Sequence, residues 1–186
     1  MNDFKIGLKV FIVLTFFTGV LYPGLISAYS YLVVKDKAHG SLIVKDGKLV
    51  GSDLLGQKFS RPEYFWGRPS AIDYNPTSSG ASNQGPTSEA LKKQVDERVI
   101  TLKNANPDAA QPVSQDLIFA SGSGLDPHIS IEAAGYQAKR VAKARNLDLT
   151  VVMEAIGRVK EGRQFGILGE PRVNVLRLNL ALDDLK

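Results

Sequence analysis

The longest uncharged stretch of the chain lies close to its N-terminus and limits what the rest of the 186 residues can form. From Val10 to Val34 there are 25 consecutive residues without a charged side chain. A helix needs about 20 mostly apolar residues to cross a bilayer, and it satisfies its own backbone hydrogen bonds there. A buried helix of a soluble domain would normally carry polar residues along one face. The run therefore predicts one membrane-spanning helix, and the remaining length suits one small domain.

A cleaved signal peptide is the main alternative for this segment. Its apolar core would be about 7–15 residues long and would end at small residues. Ser27–Ala28 fits such a site, and cleavage near Ala28 would release a soluble binding module. The apolar character continues to Val34, which a signal peptide does not require, so a spanning helix is favoured. Lysines flank both ends of the run, so their distribution does not fix the orientation of the helix.

Small or kink-forming residues recur every four positions within the apolar run. Thr15, Gly19 and Pro23 would therefore lie along one narrow face of the helix. Small side chains at this spacing let a second transmembrane helix approach closely. We predict that this face packs against a helix of a partner; the alternative is a lipid-facing helix with an incidental glycine and a proline bend.

The part of the chain after the run has the composition of a mixed α and β domain. Asp46-Gly47 between two short apolar runs predicts a β-hairpin over Gly40–Gly51. The aromatic and proline-rich stretch Phe59–Pro76 is interpreted as part of the core. Three helices are predicted. The first runs from Glu89 to about Lys103 and is capped by Ser88, the second follows Ser130 and ends at about Arg145, and the third is Thr150–Lys160. A strand is predicted over Val173–Leu182.

Composition excludes several classes of function. The chain has no cysteine, which excludes disulfides, thiolate metal sites and cysteine nucleophiles. Its net charge is +4 without a run of five or six basic residues, so nucleic acid is not expected as a partner.

A few side chains could carry chemistry. Asp126-Pro127-His128 could form part of a hydrolase site, but one histidine with one carboxylate is too few ligands for a typical zinc site, and Asp-Pro favours a turn. Arg68 and Arg172, each beside a proline, could contact an acidic partner or form local salt bridges. Backbone N–H groups of Ser121-Gly122-Ser123-Gly124 are compatible with a phosphate cradle, although neither a Walker nor a Rossmann motif is present.

Several motifs, taken in order, resemble the C subunit family of Kdp-type potassium-transporting P-type ATPases. They span nearly the whole chain, and their order and spacing are more specific than any one of them. One departure is Ile131, where the family usually has proline after His-Ile-Ser. The matching segments are Tyr22-Pro23-Gly24, Gly51–Phe59, Tyr64–Ser70, Ser82–Pro86, Ser121–Ser130, Gly169–Leu176 and Leu178–Asp183.

The resemblance implies a non-catalytic accessory subunit in a bacterial inner-membrane complex that imports potassium at the expense of ATP. Its partners would be a channel-like potassium-binding subunit, an ATP-hydrolysing P-type subunit, in some complexes a small peptide subunit, and membrane lipid. The resemblance also implies a cytoplasmic N-terminus over residues 1–9, a transmembrane helix over 10–34 and an extracytoplasmic α+β domain over 35–186.

The family is also described as a catalytic chaperone that raises the ATP affinity of the hydrolysing subunit. That description implies a nucleotide contact through Gln84 and Ser121–Gly124, with ATP as the ligand of this role and no firmly bound cofactor. A domain outside the membrane cannot touch cytoplasmic ATP. We therefore favour a domain that caps the entrance of the channel-like subunit from outside and affects the ATP-hydrolysing subunit only through the transmembrane helix. A membrane-anchored extracytoplasmic hydrolase using Asp126 and His128 is the alternative function.

Overall fold

The computed structural model describes Asn2 to Leu185 and divides the chain into two compact units, one ending at Leu42 and the other beginning at Ile43. The first unit is dominated by a 32-residue helix, Asn2–Val33, none of which is buried. Length and composition make this helix able to cross a membrane. It consists of α1 (Asn2–Thr15), a π-helical turn (Phe16–Leu21) and α2 (Tyr22–Val33), followed by the short α3 (Lys35–Ala38).

The π-helical turn has a local cause in the sequence. Pro23 has no backbone N–H and cannot continue the ordinary ladder to the carbonyl of the residue four positions earlier. The N–H of Tyr22 instead donates to the carbonyl of Phe17, a bond one residue wider than in an α-helix. The Thr18 hydroxyl donates to the Leu14 carbonyl at 2.7 Å and satisfies a further backbone oxygen.

The predicted hairpin is confirmed as β1 (Leu42–Lys45) and β2 (Lys48–Ser52). Both turn residues have positive φ, 52° at Asp46 and 73° at Gly47. A two-residue hairpin turn of this kind needs left-handed backbone at both positions, which aspartate and glycine tolerate best.

The second unit contains the three predicted helices and two more. They are α4 (Glu89–Ala105), the short α5 (Gln115–Ile118), α6 (Ile131–Arg145), α7 (Leu149–Val159) and α8 (Val175–Asp183). The predicted caps are confirmed: Leu91 N–H donates to the Ser88 hydroxyl and Ala133 N–H to the Ser130 hydroxyl. A side-chain oxygen at this position satisfies one of the free N–H groups at the start of a helix.

Three short strands next to α6, α7 and α8 form an antiparallel sheet in the order β3-β5-β4. Its strands are β3 (His128–Ser130), β4 (Lys160–Glu161) and β5 (Arg172–Asn174). His128 lies opposite Asn174, and Arg172 lies opposite both Ser130 and Glu161. The sheet thereby brings together charged residues from three distant parts of the sequence.

The strand predicted over Val173–Leu182 is wrong beyond Asn174, where α8 begins. The alternating leucines indicated a period of two, but Val175, Leu178 and Leu182 also match the spacing of one helix face, and all three are buried. The Asn174 side chain accepts a hydrogen bond from Arg177 N–H and caps the helix. Leucine is a good helix former, so the local preference agrees with the observed helix.

The core of the second unit forms around α6. Its buried face is rich in small residues, which lets α7 and the sheet pack closely against it. Phe65, from the aromatic stretch, is fully buried in this cluster, and Phe59 and Trp66 pack against it. The interpretation of that stretch as core is therefore confirmed. The other central side chains are Ile129, Ala133, Ala134, Ala138, Val141, Val152, Ile156, Val173, Leu178 and Leu182.

The aromatic stretch reaches the core without regular secondary structure because two buried amides hold its backbone. Phe65 N–H donates to Asn179 Oδ1 at 2.8 Å, and Asn179 Nδ2 donates back to the Phe65 carbonyl at 3.1 Å. Gln137 makes the same pair of bonds with Trp66, at 2.9 and 3.2 Å. Both amides thus replace the strand partner that this segment lacks.

Candidate functional site

A polar cleft of about 640 Å³ collects four charged residues that the sequence had singled out, Arg68, Asp126, His128 and Arg172. Arg68 lies in the aromatic stretch, two residues after Trp66, whereas Asp126 lies in the turn before β3, His128 in β3 itself and Arg172 in β5. Other residues that line the cleft are Asp116, Ile129, Ser130, Ile131, Glu132, Lys160, Glu170 and Pro171.

Asp126 is held from two sides. Arg68 Nη1 lies 3.0 Å from its Oδ2, and the backbone N–H of His128 donates to its Oδ1 at 3.0 Å. His128 Nδ1 also lies 3.6 Å from Asp126 Oδ1. Burial alone would raise the pKa of the Asp126 carboxyl, but the bonds from His128 and Arg68 outweigh it and lower that pKa to about 2.

The charges continue across the sheet beyond His128. Its Nε2 lies 3.5 Å from Glu161 Oε2, and the same oxygen lies 3.0 Å from Arg172 Nε. Arg68, Asp126, His128, Glu161 and Arg172 thus form one chain in which the two carboxylates alternate with the three basic side chains. Such a network ties the aromatic stretch and all three strands together.

Two members of this environment were missed by sequence reasoning. Glu161 was placed just beyond a predicted helix, and only the pairing of β4 with β5 aligns it with Arg172. Tyr74 lies in the aromatic stretch, where its phenol donates to the Arg68 carbonyl, and burial raises the pKa of that phenol to about 12. Neither contact has a local sequence signal.

The turn from Ser121 to Gly124 is tied into the domain by its own backbone. Ser121 N–H donates to the Pro69 carbonyl and Gly124 N–H to the Ser121 carbonyl, at 3.0 and 3.3 Å. The Ser123 carbonyl accepts from Gly80 N–H at 3.0 Å. At Gly124, φ is +71° and a Cβ would lie 2.6 Å from Ile72 Cγ1, so this glycine is required by packing.

Gln84 lies at a different place. It lines a polar pocket of about 420 Å³ together with Gln94 and Arg98, and no residue of Ser121–Gly124 borders that pocket. Its Oε1 is buried and has no hydrogen-bond partner within residues 2–185. The structure therefore does not bring the two predicted nucleotide-binding elements into one pocket.

The predicted helix face remains open. Thr15, Gly19 and Pro23 are all exposed, and a Cβ at Gly19 would meet only Thr15 Cγ2, at 3.8 Å. The helix itself thus does not require glycine here, and the space beside it is free.

The chain combines an exposed apolar helix with a compact mixed α/β domain, the organisation of a membrane-associated subunit. The family model "K+-transporting ATPase, c chain" matches residues 4–184. The potassium-transporting ATPase KdpC subunit of Methylococcus capsulatus is 56% identical over 189 residues and covers 100% of both chains. The KdpC subunit of Paraburkholderia phytofirmans is 52% identical and covers 100% of this chain and 98% of its own length. That of Dechloromonas aromatica is also 52% identical and covers 96% of this chain and 95% of its own length.

The chain belongs to the KdpC family, the c chain of K+-transporting ATPases. The family predicted from the motifs is thereby confirmed, and so is the role as a subunit of a potassium-transporting ATPase complex, in which the other subunits are its partners. The comparisons give no support to the hydrolase alternative built on Asp126 and His128.

Proposed function

We propose that the chain is an accessory subunit without a catalytic site, which assembles with a channel-like potassium-binding subunit and an ATP-hydrolysing P-type subunit. The observation that carries this proposal is the mutual compensation of the charges in the polar cleft. Asp126, with a pKa of about 2, is bonded by the Arg68 guanidinium and the His128 backbone N–H and is a very weak base at neutral pH. The cleft is therefore suited to holding the domain together rather than to proton transfer.

The same proposal includes a position and an orientation. The helix Asn2–Val33 would span the bacterial inner membrane with its N-terminus in the cytoplasm, and the domain would lie outside as a cap on the potassium-binding subunit. Any effect on ATP hydrolysis would then pass through the helix. Contact of ATP with Gln84 or with Ser121–Gly124 requires the opposite orientation.

Sidedness is tested by single cysteines at Ser79 and Asp108, both of which are exposed, in this cysteine-free chain. Intact cells with a permeabilised outer membrane are treated with a membrane-impermeant thiol reagent. Labelling before lysis is expected if the domain is extracytoplasmic. Labelling only after lysis would overturn the orientation and favour direct nucleotide contact.

We further propose that Thr15, Gly19 and Pro23 form the helix face that packs on a partner helix. Gly19→Leu would fill the open space on this face and is expected to reduce co-purification with the other subunits at least about 5-fold. Gly24→Leu is the matched control, because a Cβ there meets nothing within 4 Å and the position lies on another face. Equal co-purification of the two variants would refute the assignment of this face.

A further inference from the structure

The membrane helix changes its backbone geometry inside its apolar run. The run extends from Val10 to Val34, and both the π-helical turn Phe16–Leu21 and Pro23 lie within it. Before the turn, α1 is a regular α-helix, and so is α2 after it. A helix that serves only to cross the bilayer keeps one hydrogen-bond ladder from end to end, because no water is present there to pair with a freed backbone group. An interrupted ladder at this depth therefore calls for a separate explanation.

The size of the interruption follows from counting hydrogen bonds. In an unbroken α-helix, the three carbonyls of residues 18–20 would accept from the N–H groups of the residues four positions later. Here the first of those N–H groups, that of Tyr22, donates to the Phe17 carbonyl instead, and the second is missing because Pro23 has none. The N–H of Gly24 is then left alone for three carbonyls, so two bonds of the ladder are lost.

Two neighbouring residues weaken the same stretch further. The Thr18 hydroxyl donates to the Leu14 carbonyl at 2.7 Å. A side-chain bond to the carbonyl four residues earlier bends helices, because it competes with the backbone N–H for that oxygen. No side chain braces the backbone at Gly24, where a Cβ would meet nothing within 4 Å. Proline, a π-helical turn and a side chain in the ladder are the usual causes of sharp bends in helices, and this stretch contains all three.

The intact parts of the helix lie on either side of this weak stretch. No residue of Asn2–Val33 is buried, so packing within residues 2–33 does not brace either part. The complete ladders keep α1 and α2 straight, whereas the lost bonds lower the resistance to bending between them. The angle between α1 and α2 is therefore the feature of the membrane helix that changes most easily.

We propose that the stretch from Leu14 to Gly24 is a hinge in the membrane helix, and that bending at this hinge carries the influence of the chain on ATP hydrolysis across the membrane. This inference rests on the proposed function, in which any such influence passes through the helix. A hinge lets α1 and α2 change their angle while the apolar run stays within the bilayer. The domain and the cytoplasmic end can then move relative to each other without loss of the transmembrane anchor.

The first test measures the hinge in the full chain. Spin labels are attached to cysteines placed at Ile6 and Leu32, two exposed apolar positions in this cysteine-free chain, and the distance between them is recorded in lipid nanodiscs. A straight helix places these two positions about 39 Å apart. A hinge predicts a broad distribution of distances with a shorter mean.

The variant Pro23→Ala returns an N–H group to the ladder and should stiffen the helix. Its distance distribution is expected to be narrower, with a mean close to the straight-helix value. Leu25→Ala, also in α2, leaves the ladder as it is and is the matched control. Equal widths for Pro23→Ala and the control overturn the proposal.

The second test asks whether the complex uses the hinge. Potassium-stimulated ATP hydrolysis is measured per assembled complex, and Pro23→Ala is expected to lower it at least about 5-fold, the lower end of ordinary coupling between distant sites. Co-purification with the other subunits should stay unchanged, because alanine is also small. Thr18→Val keeps the branched side chain without its hydroxyl, and both effects should be smaller than in Pro23→Ala.

The outcomes separate the hinge from the proposed function. Undiminished hydrolysis by complexes that contain the stiffened Pro23→Ala helix overturns the proposal. If the unmodified chain itself fails to co-purify with the other subunits, the proposed function fails instead, and the distance measurement still decides whether the helix contains a hinge.

Discussion

Asn179 in α8 gives the sharpest test of how the aromatic segment is held in the core. Its side chain is 1% exposed and makes two hydrogen bonds to the backbone of Phe65, a residue 114 positions away. Asn179→Leu removes both bonds but keeps the number and branching of the side-chain heavy atoms, so it leaves no cavity. The backbone N–H and carbonyl of Phe65 would then be left without their partner inside the domain.

The size of the loss follows from those two groups. A buried donor or acceptor that loses its partner costs about 1–3 kcal/mol. Two such groups predict that Asn179→Leu lowers the free energy of unfolding by about 2–6 kcal/mol. The leucine side chain offsets part of this by its greater hydrophobicity, so we expect about 3 kcal/mol.

Urea unfolding of the full chain in detergent micelles measures this change. The single tryptophan, Trp66, follows Phe65 directly, so its fluorescence reports the segment that the substitution releases. Asn104→Leu on the exposed side of α4 is the control and should change the stability by less than about 0.5 kcal/mol. If Asn179→Leu is equally harmless, the buried amide does not hold the segment and the reasoning is refuted.

Two further predictions concern the Ser121–Gly124 turn and the polar cleft. Gly124→Ala should destabilise the domain by about 2 kcal/mol, because φ is +71° and the added methyl group would overlap Ile72. Gly122→Ala is the control and should be nearly neutral, because its Cβ would meet nothing within 4 Å. Comparable melting temperatures for the two variants would contradict this prediction. Asp126 has a pKa lowered from 3.8 to about 2, so its contribution is fully present above about pH 4 and is lost as the pH falls to about 2. Asp126→Asn should therefore flatten the decline of the urea midpoint between pH 4 and pH 2, and an unchanged decline would show that Asp126 is not its source.

Local signals in the sequence predicted a large part of the fold. The apolar run, the Asp46-Gly47 turn and the caps Ser88 and Ser130 each depend on residues within a few positions of one another. The physics of such features is contained in the local sequence, because bilayer thickness, turn geometry and unpaired helix N–H groups act over short stretches of chain. The family itself was recognised in the same way, from the order of short motifs along the chain.

The C-terminal segment and the charged cleft depend on tertiary structure. The leucines after Asn174 match both a strand and a helix face, and only the contacts of Leu178 and Leu182 with the core select the helix. Glu161 meets His128 and Arg172 because antiparallel pairing brings three separate segments into register. Asn179 meets Phe65 across 114 residues because α8 and the aromatic stretch pack into the same core. The sequence alone thus determined the elements that local interactions stabilise, whereas folding decided which distant polar groups become partners, because those partners are selected by the burial of a shared core.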